Sequence, residues 1–325
     1  MLCKANRQLL IIWCFTTLLI GCQTPNQQQQ QSQEEPQTSP VPDMQVAKLG
    51  KSATPSFKKI QQAFSRRNPG YQIDYLNGVA SVPAIDQHRV LFVQEGQPTV
   101  TLSDGYSSEV TVGDIILLSP NIGLQSDSAI SLLEFKVPEE FPESIPSIIR
   151  PDWDPNITDV PGGCATETNA YRRILLTWKQ QVGNYLYHAL NAHRVRIMDS
   201  FSHYHPVEGG FDEFYLVQMA LPEARIITSN QVGVIEDPTQ ISKEQVPGLL
   251  KTTQLQVGDL VYLPRGVMHR GVGGVLAQVI TIPGFIPGSE IGVDHHLKAI
   301  NEVLKLGKEE SLPFNIEASA APVIK

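Results

Sequence analysis

Two stretches of this chain, 145 positions apart, carry one pattern: Glu109-Val-Thr-Val-Gly113-Asp114-Ile-Ile-Leu-Leu-Ser-Pro120 and Leu255-Gln-Val-Gly258-Asp259-Leu-Val-Tyr-Leu-Pro264. Each couples a Gly-Asp turn to a short Val/Ile/Leu run closed by proline, so each predicts a turn feeding a strand. Recurrence at that distance implies one β-domain used twice. The roughly 270 residues beyond the polar N-terminal region suffice for two domains of ordinary size.

The rest of the chain has the same grammar. Arg89–Val93, Thr99–Leu102 and Asp114–Leu118 are apolar runs bounded by Gly, Pro and Asp, which predicts short strands. Helical periodicity is confined to Ser56–Arg66, a short segment after Asp237, and Asp294–Leu306. In the second segment, Asp237-Pro238-Thr-Gln240 reads as an N-cap, a first-turn proline and a capping-box glutamine, with Pro247-Gly248 as the stop. This excursion, residues 229–251, is expected either to cover a barrel mouth or to lie on the surface.

Chemistry concentrates in the second copy. His203 and His205 form a His-x-His pair, Glu213 follows, and His269 ends the second Gly-Asp stretch. Alternation along a strand points both rings of such a pair the same way, which is the geometry needed to chelate. Three imidazoles and a carboxylate suit one divalent transition metal ion, whether Fe, Mn, Ni, Cu or Zn, and leave one or two coordination positions open. The other five of the eight histidines, His88, His188, His193, His295 and His296, lack ligand spacing.

These residues resemble the two motifs of the cupins, small jelly-roll barrels. Gly258, Pro264, Gly266 and His269 match the second motif at every spacing, with Gly273 where asparagine is usual. His203 and His205 match the first motif, but Glu213 follows after seven residues instead of three or four, and Ile197 and Ala220 replace its two glycines. The segment 206–212 must therefore make a longer turn, which Gly209-Gly210 eases. Glu208 competes with Glu213 as the carboxylate.

The resemblance implies an all-β bicupin: a degenerate cupin over 53–150, a metal-binding cupin over 151–310 and a C-terminal tail over 311–325. The first copy keeps Gly113, Asp114 and Pro120 but has no His-x-His, and Gln125 lies near where a second-motif histidine would stand. Tyr215, Tyr262, Arg265 and Arg196 are the expected substrate-binding residues, with Arg194 and Met268 nearby. A small-molecule ligand is expected, and homodimerisation is an option that the family offers. Cupins with this ligand set resemble dioxygenases, decarboxylases, isomerases and hydrolases, so two readings stay open. One is a metal-dependent enzyme acting on a small polar organic molecule. The other is a non-catalytic module binding a sugar, small acid or metal for sensing, uptake or envelope function.

The N-terminus predicts export. Lys4 and Arg7 precede the apolar run Leu9–Ile20, too short to span a bilayer, and Leu19-Ile20-Gly21-Cys22 resembles a bacterial lipobox with Cys22 as the lipidation site. Residues 1–21 are then a signal peptide. Residues 22–52, Gln- and Pro-rich with an unbroken run from Gln27 to Gln31, form a disordered tether. Gln23 after the cysteine resembles the residue that permits sorting to the outer membrane, so the expected location is the periplasmic side of that membrane. Export removes Cys3 and Cys14, and acylation occupies Cys22, leaving Cys164 as a small buried thiol. Removing Lys4 and Arg7 takes the formal charge from −8 to −10, so no nucleic-acid partner is expected.

Overall fold

The computed structural model describes residues 41–50, 54–162 and 170–325. The signal segment with Cys22, most of the expected tether, and Cys164 lie outside the described residues. The described chain is built of strands: β1 (Gln45–Lys48), helix α1 (Pro55–Arg67), then β2 (Gln72–Val82), β3 (His88–Glu95), β4 (Thr99–Leu102), β5 (Ser107–Glu109), β6 (Ile115–Leu118), β7 (Leu124–Val137) and β8 (Ile148–Ile149). There follow β9 (Arg172–Leu176), β10 (Asn191–Asp199), β11 (His203–Tyr204), β12 (Asp212–Ala220), β13 (Arg225–Ser229), α2 (Val232–Ile235), β14 (Lys251–Gln254), β15 (Asp259–Leu263), β16 (Met268–Ile282), β17 (Ile291–Gly292) and α3 (Asp294–Val303). Among the described residues no helix is long and apolar enough to cross a membrane.

Two antiparallel sheets result, of seven and ten strands. The fold is all-β, two cupin-type jelly-roll barrels with few short helices, in line with what the sequence resemblance implies. In each barrel one long strand bridges two ladders. β7 pairs with β3, β4 and β2, while β16 pairs with β12 and β10 along one half and with β13 and β11 along the other. The repeat is visible atom by atom. Gly113 donates its N–H to Val93 and Gly258 to Val217, and both glycines have positive φ. Asp114 and Asp259 then turn back to accept the backbone N–H of Thr111 and Gln256.

Alternation sorts each strand between two cores. Leu91 and Val93 fill the first barrel, and Val195, Ile197, Tyr215, Val217 and Val261 fill the second. Their strand neighbours Val90, Phe92, Ala192, Phe214 and Tyr262 meet in a third core between the barrels. Helix α1 plugs this seam. Thr54 caps it by accepting the Phe57 N–H, Pro55 opens its first turn, and Phe57, Ile60 and Phe64 form its buried stripe. Phe64 meets Phe135 of the first barrel edge-on at 6.0 Å and Phe214 of the second at 5.1 Å. Burying a phenylalanine contributes about 1.5–3 kcal/mol, so this aromatic contact is a principal tie between the halves.

Three segments carry contacts that the sequence pattern does not show. Gln45–Lys48, assigned to the tether, pairs in register with β15 of the second barrel. The capping box forms at Ser242 and Gln245, opening a 3₁₀ turn over Lys243–Gly248 with Pro247 inside it, rather than at Asp237 and Gln240. The segment 311–325 is no loose tail. Asn315 donates to Asp294, Val323 accepts the Gly292 N–H, and Ile324 bridges Ile291.

Candidate metal centre

His203 lies directly across the ladder from His269, and Glu213 stands between Leu263 and Thr281. The strand-resuming turn between His205 and Glu213 exists because Gly209 takes φ 73° and Gly210 lies where a Cβ would come within 2.2 Å of the Pro206 carbonyl oxygen. On the other strand, Gly273 stands where the backbone of a neighbouring turn leaves no room for a side chain. A Cβ there would lie 2.0 Å from the Glu223 carbonyl oxygen.

The three histidines offer ligand atoms that all lie within 4.8 Å of one another, and all three side chains are buried. Each ring is aimed from behind. His203 Nδ1 lies 3.1 Å from the Phe201 carbonyl oxygen and His269 Nδ1 lies 3.3 Å from that of Val267, while the Phe211 backbone holds His205. With the proton on Nδ1, the lone pair of Nε2 faces the barrel interior. Phe201 stacks on His203 at 4.3 Å and Phe211 packs on His205 at 3.9 Å. Burial, and the imidazoles beside them, hold His203 and His205 well below the usual histidine range. Neutral rings are the form that ligates a cation.

Glu213 completes the cluster. Its Oε1 is 3.1 Å from His269 Nε2 and its Oε2 is 4.0 Å from His205 Nε2. Despite that proximity, Nε2 of His203, His205 and His269 and Oε1 of Glu213 are buried without hydrogen-bond partners. Each such atom costs about 1–3 kcal/mol unless something satisfies it. One cation would satisfy the three imidazole nitrogens, with Glu213 beside His269 as the nearby carboxylate, so the residues fit a metal. Glu208 is exposed on the preceding turn, so Glu213 is the carboxylate that meets the histidines.

The other expected residues divide. Tyr215 faces the interior edge-on to His269, ring centroids 6.2 Å apart. Tyr262 and Arg265 do not reach the histidines. Tyr262 pairs across from Phe214 and so faces the seam, where its hydroxyl donates to Asp212 at 2.7 Å. Arg265 donates to Asp212 at 2.9 Å and to the Arg67 carbonyl at 2.9 Å, clamping the end of α1. Asp212 and Glu213 are adjacent and point to opposite faces, which explains the division. Arg196 is exposed on the outer face of β10, between the inward Val195 and Ile197. Arg194 binds Gln218 and Asp152, and Met268 packs under α3.

A cavity of ≈ 470 Å³ reaches Glu213 and is lined also by Arg172, Trp178, Asn191, His193, Thr281, Phe285, Glu290 and Lys325. Most of these were missed as site residues. For His193 the signal was available, since Asn191-Ala-His193-Arg-Val195 alternates as a strand and turns His193 to the face of Val195. Burial, and the Glu213 carboxylate, push Glu290 up to about 7.

No protein-family model and no curated relative matches the chain. Among solved structures, it is similar to Bacillus subtilis oxalate decarboxylase at 14% identity and TM-score 0.42, over 78% of this chain and 80% of that one. It is also similar to procruciferin, the 11S globulin of Brassica napus, at 11% identity and TM-score 0.47, over 79% and 89%, and to AerE of Microcystis aeruginosa at 11% and 0.42, over 65% and 86%. At such scores the chemistry of the site follows from its own side chains alone.

Proposed function

We propose that the protein is an exported, lipid-anchored bicupin whose second barrel binds one divalent transition metal through His203, His205, Glu213 and His269, and that it is a metal-dependent enzyme acting on a small polar organic molecule. The observation that carries this is the convergence of three buried imidazoles with unpartnered Nε2 atoms, with the Glu213 carboxylate 3.1 Å from one of them. A metal bound there supplies Lewis-acid or redox chemistry at its open position. The chain supplies the rest: neutral imidazoles locked by backbone carbonyls, a carboxylate that offsets the charge, and a cavity that admits substrate on the Glu213 side. Lipid anchoring through Cys22 is supported by the Leu19-Ile20-Gly21-Cys22 motif.

Elemental analysis of untagged protein tests the metal. About one equivalent is expected, lost in both His203→Ala and His269→Ala, together with a fall of several degrees in the Tm of wild type on chelation. Wild-type protein without metal would sink the proposal. Turnover or O2 consumption on a small-molecule panel, abolished in the same variants, separates an enzyme from a binding protein. Labelled palmitate incorporated into wild type and not into Cys22→Ala tests the anchor.

A further inference from the structure

The wall of the cavity beyond Glu213 holds a second set of unsatisfied groups. Asn191 pairs across from Thr281 and His193 from Val279, so alternation brings Asn191, His193 and Thr281 to the inner face of the barrel. All three line the cavity and are more than nine-tenths buried. His193 Nδ1 and Nε2, Asn191 Oδ1 and Thr281 Oγ1 have no hydrogen-bond partner. Structural residues this deep are ordinarily satisfied by the protein, and four orphaned atoms on one wall call for a ligand.

The donor and acceptor character of these groups selects the ligand. Burial, with Arg172 nearby, holds His193 well below the usual range and therefore neutral, so its ring offers one N–H donor and one lone pair. A hydroxyl, as on Thr281, both donates and accepts, and the Asn191 amide in either orientation presents an acceptor beside donors. A carboxylate only accepts, so on this wall it can meet the donors but not the acceptors, and the cations Arg172 and Lys325, which also line the cavity, are its better partners. A row of hydroxyls matches both donors and acceptors. Trp178, stacked on Phe285 with ring centroids 4.0 Å apart, also lines the cavity and adds an apolar face to the polar wall. The volume of ≈ 470 Å³ lies within the range of small-molecule sites, about 300–1,000 Å³.

We infer that Asn191, His193 and Thr281 form a hydroxyl-reading subsite and that the substrate is a small polyhydroxylated, sugar-like molecule whose other end faces the Glu213 side of the cavity. The inference rests on the metal-site reading for that second end only. His193 is then a specificity residue, acting on substrate hydroxyls and not on the metal.

Calorimetric titration of the full-length protein as isolated, with xylitol, D-xylonate and glutarate, three compounds of equal carbon count, tests this. Xylitol and D-xylonate should bind, and glutarate at least about tenfold more weakly. His193→Phe should weaken xylitol binding by about tenfold or more, and the near-isosteric Thr281→Val by several-fold, with metal content unchanged in both. Glutarate binding as tightly as D-xylonate, absence of polyol binding, or wild-type xylitol affinity in both variants would each overturn the subsite. The two readings fail separately. Metal bound without His193-dependent polyol binding refutes the subsite alone, whereas polyol binding through His193 in a protein that takes up no metal refutes the metal site alone.

Discussion

The two barrels use one strand plan and treat interior charge in opposite ways. Glu213 of the second barrel stands between Leu263 and Thr281; 145 positions earlier, Leu118 and Lys136 flank Arg89 of the first. Arg89 is buried, pairs with Glu134 at 3.4 Å and donates to the Ile122 carbonyl at 2.7 Å. At the place of His269 the first barrel has Leu124, packed in its core. The first barrel therefore sets its buried charge against a carboxylate of its own, with Arg89 Nε left over, whereas the second leaves four atoms of the histidine and Glu213 cluster and four more on the cavity wall without partners. The fold permits either, so barrel geometry alone does not make a site. The replacement of Glu213 and His269 by Arg89 and Leu124, together with the lack of any His-x-His in the first copy, separates the two barrels.

Breaking the charge pair of the first barrel should have the largest effect on stability. Arg89→Met leaves Glu134 buried without its partner, and removing one half of a buried pair costs about 3–5 kcal/mol. The double variant Arg89→Met/Glu134→Leu should recover most of that loss, since two well-packed apolar residues replace a pair whose desolvation cost offsets much of its attraction. Denaturant unfolding measures both, and metal content should not change in either. A single variant as stable as wild type would show that the pair carries no structural weight and that the contrast between the barrels is only one of sequence.

A second contrast concerns acid. Burial raises two carboxyls in each barrel: Asp114, to about 6, and Glu134 in the first, and Glu290, to about 7, and Asp294 in the second. A raised carboxyl favours folding at low pH and loses that contribution as pH rises through its folded value, so these groups act alike in the two halves. The asymmetry is in the imidazoles of the second barrel, where burial depresses His193, His203 and His205 strongly and His296 on α3 as well. A histidine depressed in the folded state contributes stability above its unfolded value of 6.5 and loses it as pH falls below that. Lowering chelated protein from pH 7.5 to 5.5 should therefore reduce amide protection in β10, β12 and β16 more than in β3 and β7. Hydrogen exchange resolves the two sets, and equal losses would refute the asymmetry.

The sequence made the three clustered histidines legible because a metal site demands residue types and spacings that strands express directly. His269 could be placed from Gly258, Pro264 and Gly266, and the longer turn before Glu213 from Gly209-Gly210. The seam was not legible. Tyr262 and Arg265 are the right residue types beside the right motif, and only the pairing of Tyr262 with Phe214, and the arrival of α1 with Arg67 and Asn68, turns them to Asp212. Gln45–Lys48 was hidden because its partner, β15, lies more than two hundred residues on. His193 was passed over for lacking ligand spacing. Spacing detects groups that share one ion, whereas a residue that meets a substrate needs only a strand that faces inward.

The smallest change in stability is expected at the competing carboxylates. Glu208 is exposed on the turn, so Glu208→Gln should stay within about 0.5 kcal/mol of wild type and keep its metal. Glu213→Gln should also leave the chelated protein no less stable, for a different reason. The glutamate is buried with Oε1 unpartnered, so its charge is a burden that the metal-free fold carries for the site. The two variants then look alike in unfolding of chelated protein and part in metal content, which falls in Glu213→Gln alone. Equal metal in both would remove Glu213 from the ligand set and leave the three histidines as the whole of it. Marked destabilisation of chelated Glu213→Gln would mean that the carboxylate is held by the fold as Glu134 is, and the two barrels would then differ less than their orphaned atoms indicate.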